Sequence, residues 1–348
     1  MGEPVAIGPL GVRQTVIDAS WRPERKYDLF LTALSWETRG TTFLEQLAEH
    51  LPPVTLLRFA SSDPKIDEAK EASRAKIQAR GKISEILDLR MSTNLQENYK
   101  TIEALLRDRS SKAARPLRIL IDISCIPKAY VMFLVGAGFS RDYLAVMDCI
   151  YVAGSYDHTD ADAAKSTSAT GNRTLVATGD WRPELIPYLK AAELMPASTD
   201  LLVTLGGELG MARSFMDRIE PDRTMLIFIA EDAPGPERDM VPSERIAFKN
   251  LVSDAQSQTH EISLGNVIGV AEQAISFVRA SNCSGVSGMA LGAKSHALAL
   301  AIAALSENRL EVVVRVPTGY KGLDVEPSGP IHLFELSDRF EPCSYIET

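Results

Sequence analysis

Residues 118–128 read Arg-Ile-Leu-Ile-Asp-Ile-Ser-Cys-Ile-Pro-Lys, and residues 285–294 read Gly-Val-Ser-Gly-Met-Ala-Leu-Gly-Ala-Lys. Each is a short apolar run, then a turn, then a lysine. Each is followed by an apolar stretch of helical length: Ala-Tyr-Val-Met-Phe-Leu-Val after Lys128, and Ser-His-Ala-Leu-Ala-Leu-Ala-Ile after Lys294. Asp122 and Ser124 close the first run, and Pro127 suits the first turn of a helix, where its missing N–H costs nothing. A strand–turn–helix with lysine at the helix start brings free backbone N–H groups and a cation to one place. That chemistry suits a phosphate or another anion, so the pair of motifs predicts one or two ligand-facing turns.

The pattern around the first motif is an alternation of strands and helices. Residues 27–34, 54–60, 83–89, 117–123 and 146–153 read as strands, and 41–51, 65–80, 94–109 and 128–139 as helices. Residues 154–180 are polar and read as a long loop or linker. The alternation then restarts with strands at 200–205, 223–230, 260–264, 285–290 and 311–316. Helices are expected at 211–219, 243–255, 265–280 and 294–305. The fold expected is α/β, with two Rossmann-like domains of parallel sheet at 1–165 and 166–348. The length of 348 residues is consistent with two domains. The halves answer each other. Asp-Leu-Phe-Leu-Thr at 28–32 matches Asp-Leu-Leu-Val-Thr at 200–204, and Trp-Arg-Pro recurs at 21–23 and 181–183. An internal duplication is the economical reading.

Composition narrows the function. A net charge of −9 disfavours a broad basic surface for bulk DNA or RNA. It does not exclude a small anion, because local lysines act over a few ångströms while salt screens distant acids. The basic residues between 65 and 82 alternate with acids and read as a solvated helix. No apolar run reaches the roughly 18 residues of a membrane span, and the amino terminus has no signal-peptide pattern. The four cysteines form no Cys-x-x-Cys pair and read as reduced thiols, which places the expected setting in the cytoplasm. Asp157-His158-Thr-Asp160-Ala-Asp162 has metal-like composition but the wrong spacing for a calcium loop. No metal and no cofactor are expected.

The candidate site residues fall at predicted carboxyl ends of strands, where open parallel sheets place ligands. In the first half they are Asp122, Ser124 and Lys128, with Trp36, Glu37 and Arg39 in the turn after the first long strand. Trp36 would stack on a base, Arg39 would contact phosphate, and Glu37 would orient Arg39 or act as a base. A plain surface ion pair between Glu37 and Arg39 is the competing reading. In the second half, Gly207 and Glu208 lie in the glycine-rich turn 206–210, and Thr318 and Tyr320 follow the last strand. Gly288-Met-Ala-Leu-Gly-Ala-Lys294-Ser295 approaches P-loop spacing, but Ala293 stands where the motif needs glycine. Ser295 near a helix cap is the structural alternative. His296 is read as packing or capping.

The order strand, Asp-x-Ser, turn, Lys, helix resembles the signature turn of CARF domains, the CRISPR-associated Rossmann-fold sensors. The resemblance is motif-specific at 122–128 and 285–295. The family's turn commonly reads Gly-Thr-Lys, whereas here it is Ile126-Pro127-Lys128 and Gly292-Ala293-Lys294. The resemblance implies that the first-strand loop and the lysine turn hold a cyclic oligoadenylate, usually across a two-fold axis. It implies a nucleotide-signal protein of a prokaryotic defence system, with a second copy or a defence-complex subunit as partner. A nucleotide-cleaving enzyme, a ring nuclease or an N-glycosidase with Glu37 or Glu208 as acid–base, is the alternative. A non-catalytic interaction subunit is the third.

Overall fold

Strands buried on both faces must be apolar throughout, and the central strands of this chain are. Leu29, Phe30 and Leu31, and likewise Leu117, Ile119, Leu120 and Ile121, are each no more than 5% exposed. The computed structural model describes residues 3–47, 51–80, 83–155, 177–191, 199–205, 216, 218–230, 257–320 and 324–338. The chain divides into two units, residues 1–156 with 319–348, and residues 157–318.

The first unit carries β1 (Val5–Ile7), β2 (Leu10–Ile17), β3 (Leu29–Ala33), α1 (Arg39–Leu47), β4 (Val54–Phe59), α2 (Pro64–Ala79), β5 (Ile83–Leu89), α3 (Leu95–Ala113), β6 (Leu117–Asp122), α4 (Lys128–Ser140), β7 (Leu144–Ser155) and, from the far end of the chain, β14 (Glu326–Asp338). Its sheet runs β1-β2-β14-β7-β6-β3-β4-β5. The five strands from β7 to β5 are parallel. β14 is antiparallel to both β2 and β7. Local sequence explains the helix boundaries. Asp63 caps α2 by accepting the Lys65 N–H, with Pro64 just inside the helix. α4 is apolar all round and is buried from Ala129 to Gly138, as a helix at the centre of a domain must be.

The second unit carries β8 (Ala177–Leu185), β9 (Thr199–Thr204), β10 (Thr224–Ile229), β11 (Ser257–Ile262), α5 (Val267–Arg279), β12 (Gly285–Ala290), α6 (Lys294–Ser306) and β13 (Leu310–Tyr320). Its sheet runs β11-β10-β9-β12-β13-β8, parallel from β11 to β13. In each unit the five parallel strands, numbered as they occur along the chain, lie in the order 3-2-1-4-5. That is the doubly wound arrangement, with its reversal point between strands 1 and 4. The expected α/β class and its repeat are therefore present at the level of topology.

Several expectations need correction. The division is not at 165/166, because β14 returns to the first sheet and takes residues 319–348 with it. That sheet is mixed rather than purely parallel. β1, β2 and β14 were not read from sequence, since their partners are distant strands and their apolar alternation is weak. β8 begins inside the stretch expected to be linker. Lys70, expected on a solvated face, is 4% exposed, and its Nζ donates to the Phe59 carbonyl at 2.6 Å. The expected helix at 243–255, most of 211–219 and the acidic loop 157–162 lie outside the described residues. No described helix is long and apolar enough to cross a membrane.

Candidate functional site

In the first unit the reversal point lies between β3 and β6, where the carboxyl ends of two strands bring the first-strand loop beside the lysine turn. Trp36, Glu37 and Arg39 come from that loop, and Asp122, Ser124, Cys125 and Lys128 from the turn. The structure brings the two groups together but uses most of them internally. Arg39 is 1% exposed, and its Nε donates to Glu37 Oε2 at 2.6 Å. The Cys125 thiol lies 3.6 Å from the same oxygen. A Cβ on Gly154 of β7 would stand 2.6 Å from Arg39 Nη1 and would also meet Val325, so only glycine admits this guanidinium. The loop is held from its other side. Asp324 accepts the Thr38 N–H at 2.7 Å and the Thr38 hydroxyl at 2.6 Å, while the Arg39 N–H donates to the Val325 carbonyl.

The turn itself is equally occupied. Asp122 is fully buried. Its Oδ1 accepts the Ser124 N–H at 2.9 Å, and its Oδ2 faces the Thr32 hydroxyl at 3.4 Å. Ser124 Oγ accepts the Val152 N–H at 2.8 Å. Trp36 and Lys128 are half-buried at the rim. Thus Glu37 and Arg39 form an ion pair in the interior, not the surface pair that was the competing reading.

The second unit differs at the equivalent place. β9 and β12 flank its reversal point, and only Leu291, Gly292 and Ala293 separate β12 from α6. This turn is pressed onto the end of β9. The N–H groups of Leu291 and Gly292 both donate to the Thr204 carbonyl, at 3.0 and 2.7 Å. A Cβ on Gly292 would lie 3.0 Å from the backbone C and O of Leu205, so any side chain here would crowd the approach. Ala293 occupies the helix N-cap and offers no side-chain acceptor. Ser295, one position past Lys294, is 0% exposed, and its hydroxyl makes no hydrogen bond. The Thr204 hydroxyl, also 0% exposed, makes none either. Buried hydroxyls without protein partners are costly, about 1–3 kcal/mol each.

Gly288 sits inside β12 rather than on the turn, with Leu310 and Glu311 against it. A loop of three residues cannot wrap a phosphate as a P-loop does, so the P-loop likeness of 288–295 is accidental. Ser295 does not cap α6, since Ala293 is at that position. His296 is fully buried, with its Nε2 3.3 Å from the Ser263 carbonyl, which agrees with packing. Thr318 is exposed near the carboxyl end of β13. Gly207 and Glu208 lie outside the described residues, as does the side chain of Tyr320.

One cluster escaped the sequence reading. Arg13 on β2, Glu335 on β14 and Asp148 on β7 stand in one row across three neighbouring strands. Arg13 forks onto Glu335 and reaches Glu24 at 2.7 Å. Arg25 lies 3.4 Å from Asp148 and 3.3 Å from Glu335, and Tyr27 Oη donates to Asp148 at 2.6 Å. Burial pushes the Asp148 carboxyl up to about 7, with Arg25 opposing and Glu335 adding to the rise. No local motif announces this group, because its members are separated by up to 322 residues.

No family model matches the sequence, and no curated protein matches it. Among solved structures, the chain is similar to the adenylation, ketoreductase and pseudo Asub multidomain structure of a keto acid-selecting NRPS module. The identity is 10% and the TM-score 0.20, over 87% of this chain and 34% of that one. The chain thus spans about a third of that protein's length, and a likeness this shallow carries no argument about activity.

Proposed function

We propose that the protein is a binding module for a phosphorylated nucleotide, of the cyclic oligonucleotide class, that reads such a molecule as a signal in prokaryotic defence. One coincidence carries the reading. The two lysine turns singled out in the sequence are the turns that follow the fourth parallel strand in each unit, at the reversal of strand order where doubly wound sheets take their ligands. The helices that follow, α4 and α6, have Pro127 and Ala293 as their N-cap residues, which supply no side-chain cap. Their first-turn amides and dipoles favour an anion. The resemblance of 122–128 and 285–295 to the CARF turn supplies the ligand class. The nucleotide-cleaving alternative loses support in the first unit, where Glu37 is engaged by Arg39.

A thermal-shift panel of mononucleotides, NAD and cyclic di-, tri-, tetra- and hexanucleotides tests the reading, followed by chromatography of the mixture. A binder raises the melting temperature by mass action and is recovered intact. Recovery as fragments would move the assignment to an enzyme. No shift with any nucleotide would refute the proposal.

A further inference from the structure

Residues 18–28 connect β2 to β3 and pack on the first sheet, where Trp21 and Tyr27 lie against the cluster that holds Ile17, Ile331 and Leu333. Residues 22–27 make no backbone–backbone hydrogen bond to any described residue, and the next backbone tie is the Asp28 N–H, which donates to the Arg118 carbonyl at 2.8 Å. Side chains therefore fasten this strap. Trp21 rests on Phe43 of α1, with ring centroids 6.3 Å apart. Tyr27 and Arg25 reach Asp148 on β7, Arg25 also reaches Glu335 on β14, and Glu24 pairs with Arg13 on β2.

The fastening has more acids than cations. Arg13 is taken up by Glu335 and Glu24, and Arg25 is divided between Asp148 and Glu335. Asp148 receives Tyr27 and Arg25 on Oδ2, while its Oδ1 is buried without a hydrogen-bond partner. A bare carboxylate oxygen in the interior is unfavourable, and a proton on the group relieves it. The other neighbours bring no compensating cation. β6 sets Leu120 beside Asp148, and on α1, which packs over β7 and β14, Arg39 is paired with Glu37 and the exposed Glu45 with Thr41. Burial, opposed by Arg25, pushes the Asp148 carboxyl up to about 7. Lifting the strap would admit water to Asp148 and return it toward its ordinary value. The closed form therefore holds the proton more tightly than the open one, and the proton acts as a ligand of the closed form.

We propose that residues 18–28 form a proton-locked strap on the first sheet, closed while Asp148 holds a proton and released as that proton is lost, so that the apolar face of β2, β14 and β7 is uncovered. Release also takes Trp21 off Phe43, and so removes a packing partner of α1, the helix that begins at Arg39. The device stands apart from the anion-site reading above and does not depend on any ligand.

Limited trypsin digestion of the full chain from about pH 5.5 to about pH 8.5 tests it. Mass spectrometry reads cleavage after Arg25 and Lys26, normalised at each pH to an unstructured peptide of the same local sequence. Loss of one proton per opening predicts a normalised rate that climbs about tenfold per pH unit up to about pH 7 and then levels. In Asp148→Asn, which cannot ionise, the rate should stay at the low-pH value throughout. Cleavage after Arg107, within α3, is the control and should not change with pH. A flat profile in the native protein would overturn the proposal, as would an equal rise in Asp148→Asn or an equal rise at Arg107, which would mean general loosening. Should Asp148→Asn fail to fold, Glu335→Gln carries the test. Removing the acid beside Asp148 should lower the pH at which the rate levels, and an unmoved profile would overturn the proposal equally.

Discussion

Replacing Asp148 with Asn will change the pH dependence of stability in a calculable way. The carboxyl is buried and its Oδ1 makes no hydrogen bond, while Arg25, Arg13, Tyr27 and Glu335 surround it. Folding raises its pKa from 3.8 to about 7. A carboxyl raised on folding holds its proton in the native state through a range where the unfolded chain has lost it. The native state then binds more protons, so stability falls as pH rises from about 4 to about 7 and is level above that. The displacement is about three pH units, and at about 1.4 kcal/mol each the limit is about 4 kcal/mol. The measured value will be smaller, because Arg25 and Glu335 readjust when the charge appears. Asn keeps the acceptor for Tyr27 and cannot ionise. Urea unfolding of both proteins between pH 4 and pH 8, followed by circular dichroism, gives the difference at each pH and cancels the other titrating groups. The Asn variant should gain on the native protein steadily up to about pH 7 and hold its lead beyond. A difference that stays constant across this window would refute the claim that burial governs Asp148.

Three further outcomes follow from the two reversal points. Glu37→Gln weakens the partner of a buried guanidinium and should destabilise the chain by about 3 kcal/mol in urea titration; a loss within about 0.5 kcal/mol, as for a surface pair, would contradict the burial of Arg39. Ser295→Ala removes a buried hydroxyl that has no partner, so the ligand-free protein should be unchanged or gain up to about 1 kcal/mol, and a marked loss would show that the hydroxyl is already satisfied. Gly292→Ala drives a methyl against the Leu205 backbone and should cost about 1–3 kcal/mol, seen as a lower melting temperature; an unchanged melting temperature would mean that the turn does not lie on β9.

The local elements of the parallel cores were legible because their signals are local. Apolar runs of strand length, helical periodicity, Asp63-Pro64 before α2 and the lysine after each fourth strand are all read within a dozen residues. So was the repeat, since both halves place the same elements in the same order. β1, β2 and β14 were not, because an edge hairpin and a returning carboxyl-terminal strand owe their conformation to partners far along the chain. The partition into units failed for the same reason.

The site divides along the same line. The sequence alone located the residues that stand at the reversal points, since strand carboxyl ends and helix starts follow from patterning. It also held the two readings of Glu37 and Arg39 open side by side. Only the tertiary structure placed their ion pair in the interior, and only it showed which polar groups of the two lysine turns meet and that the Thr204 and Ser295 hydroxyls are buried without protein partners. The physical reason is that hydrogen-bond satisfaction is a property of neighbours in space. Asp122 meets Thr32, Glu335 meets Asp148, and Thr204 meets the turn at Gly292 through strand order. Strand order is set by burial of the whole sheet, and no stretch of the chain encodes it by itself.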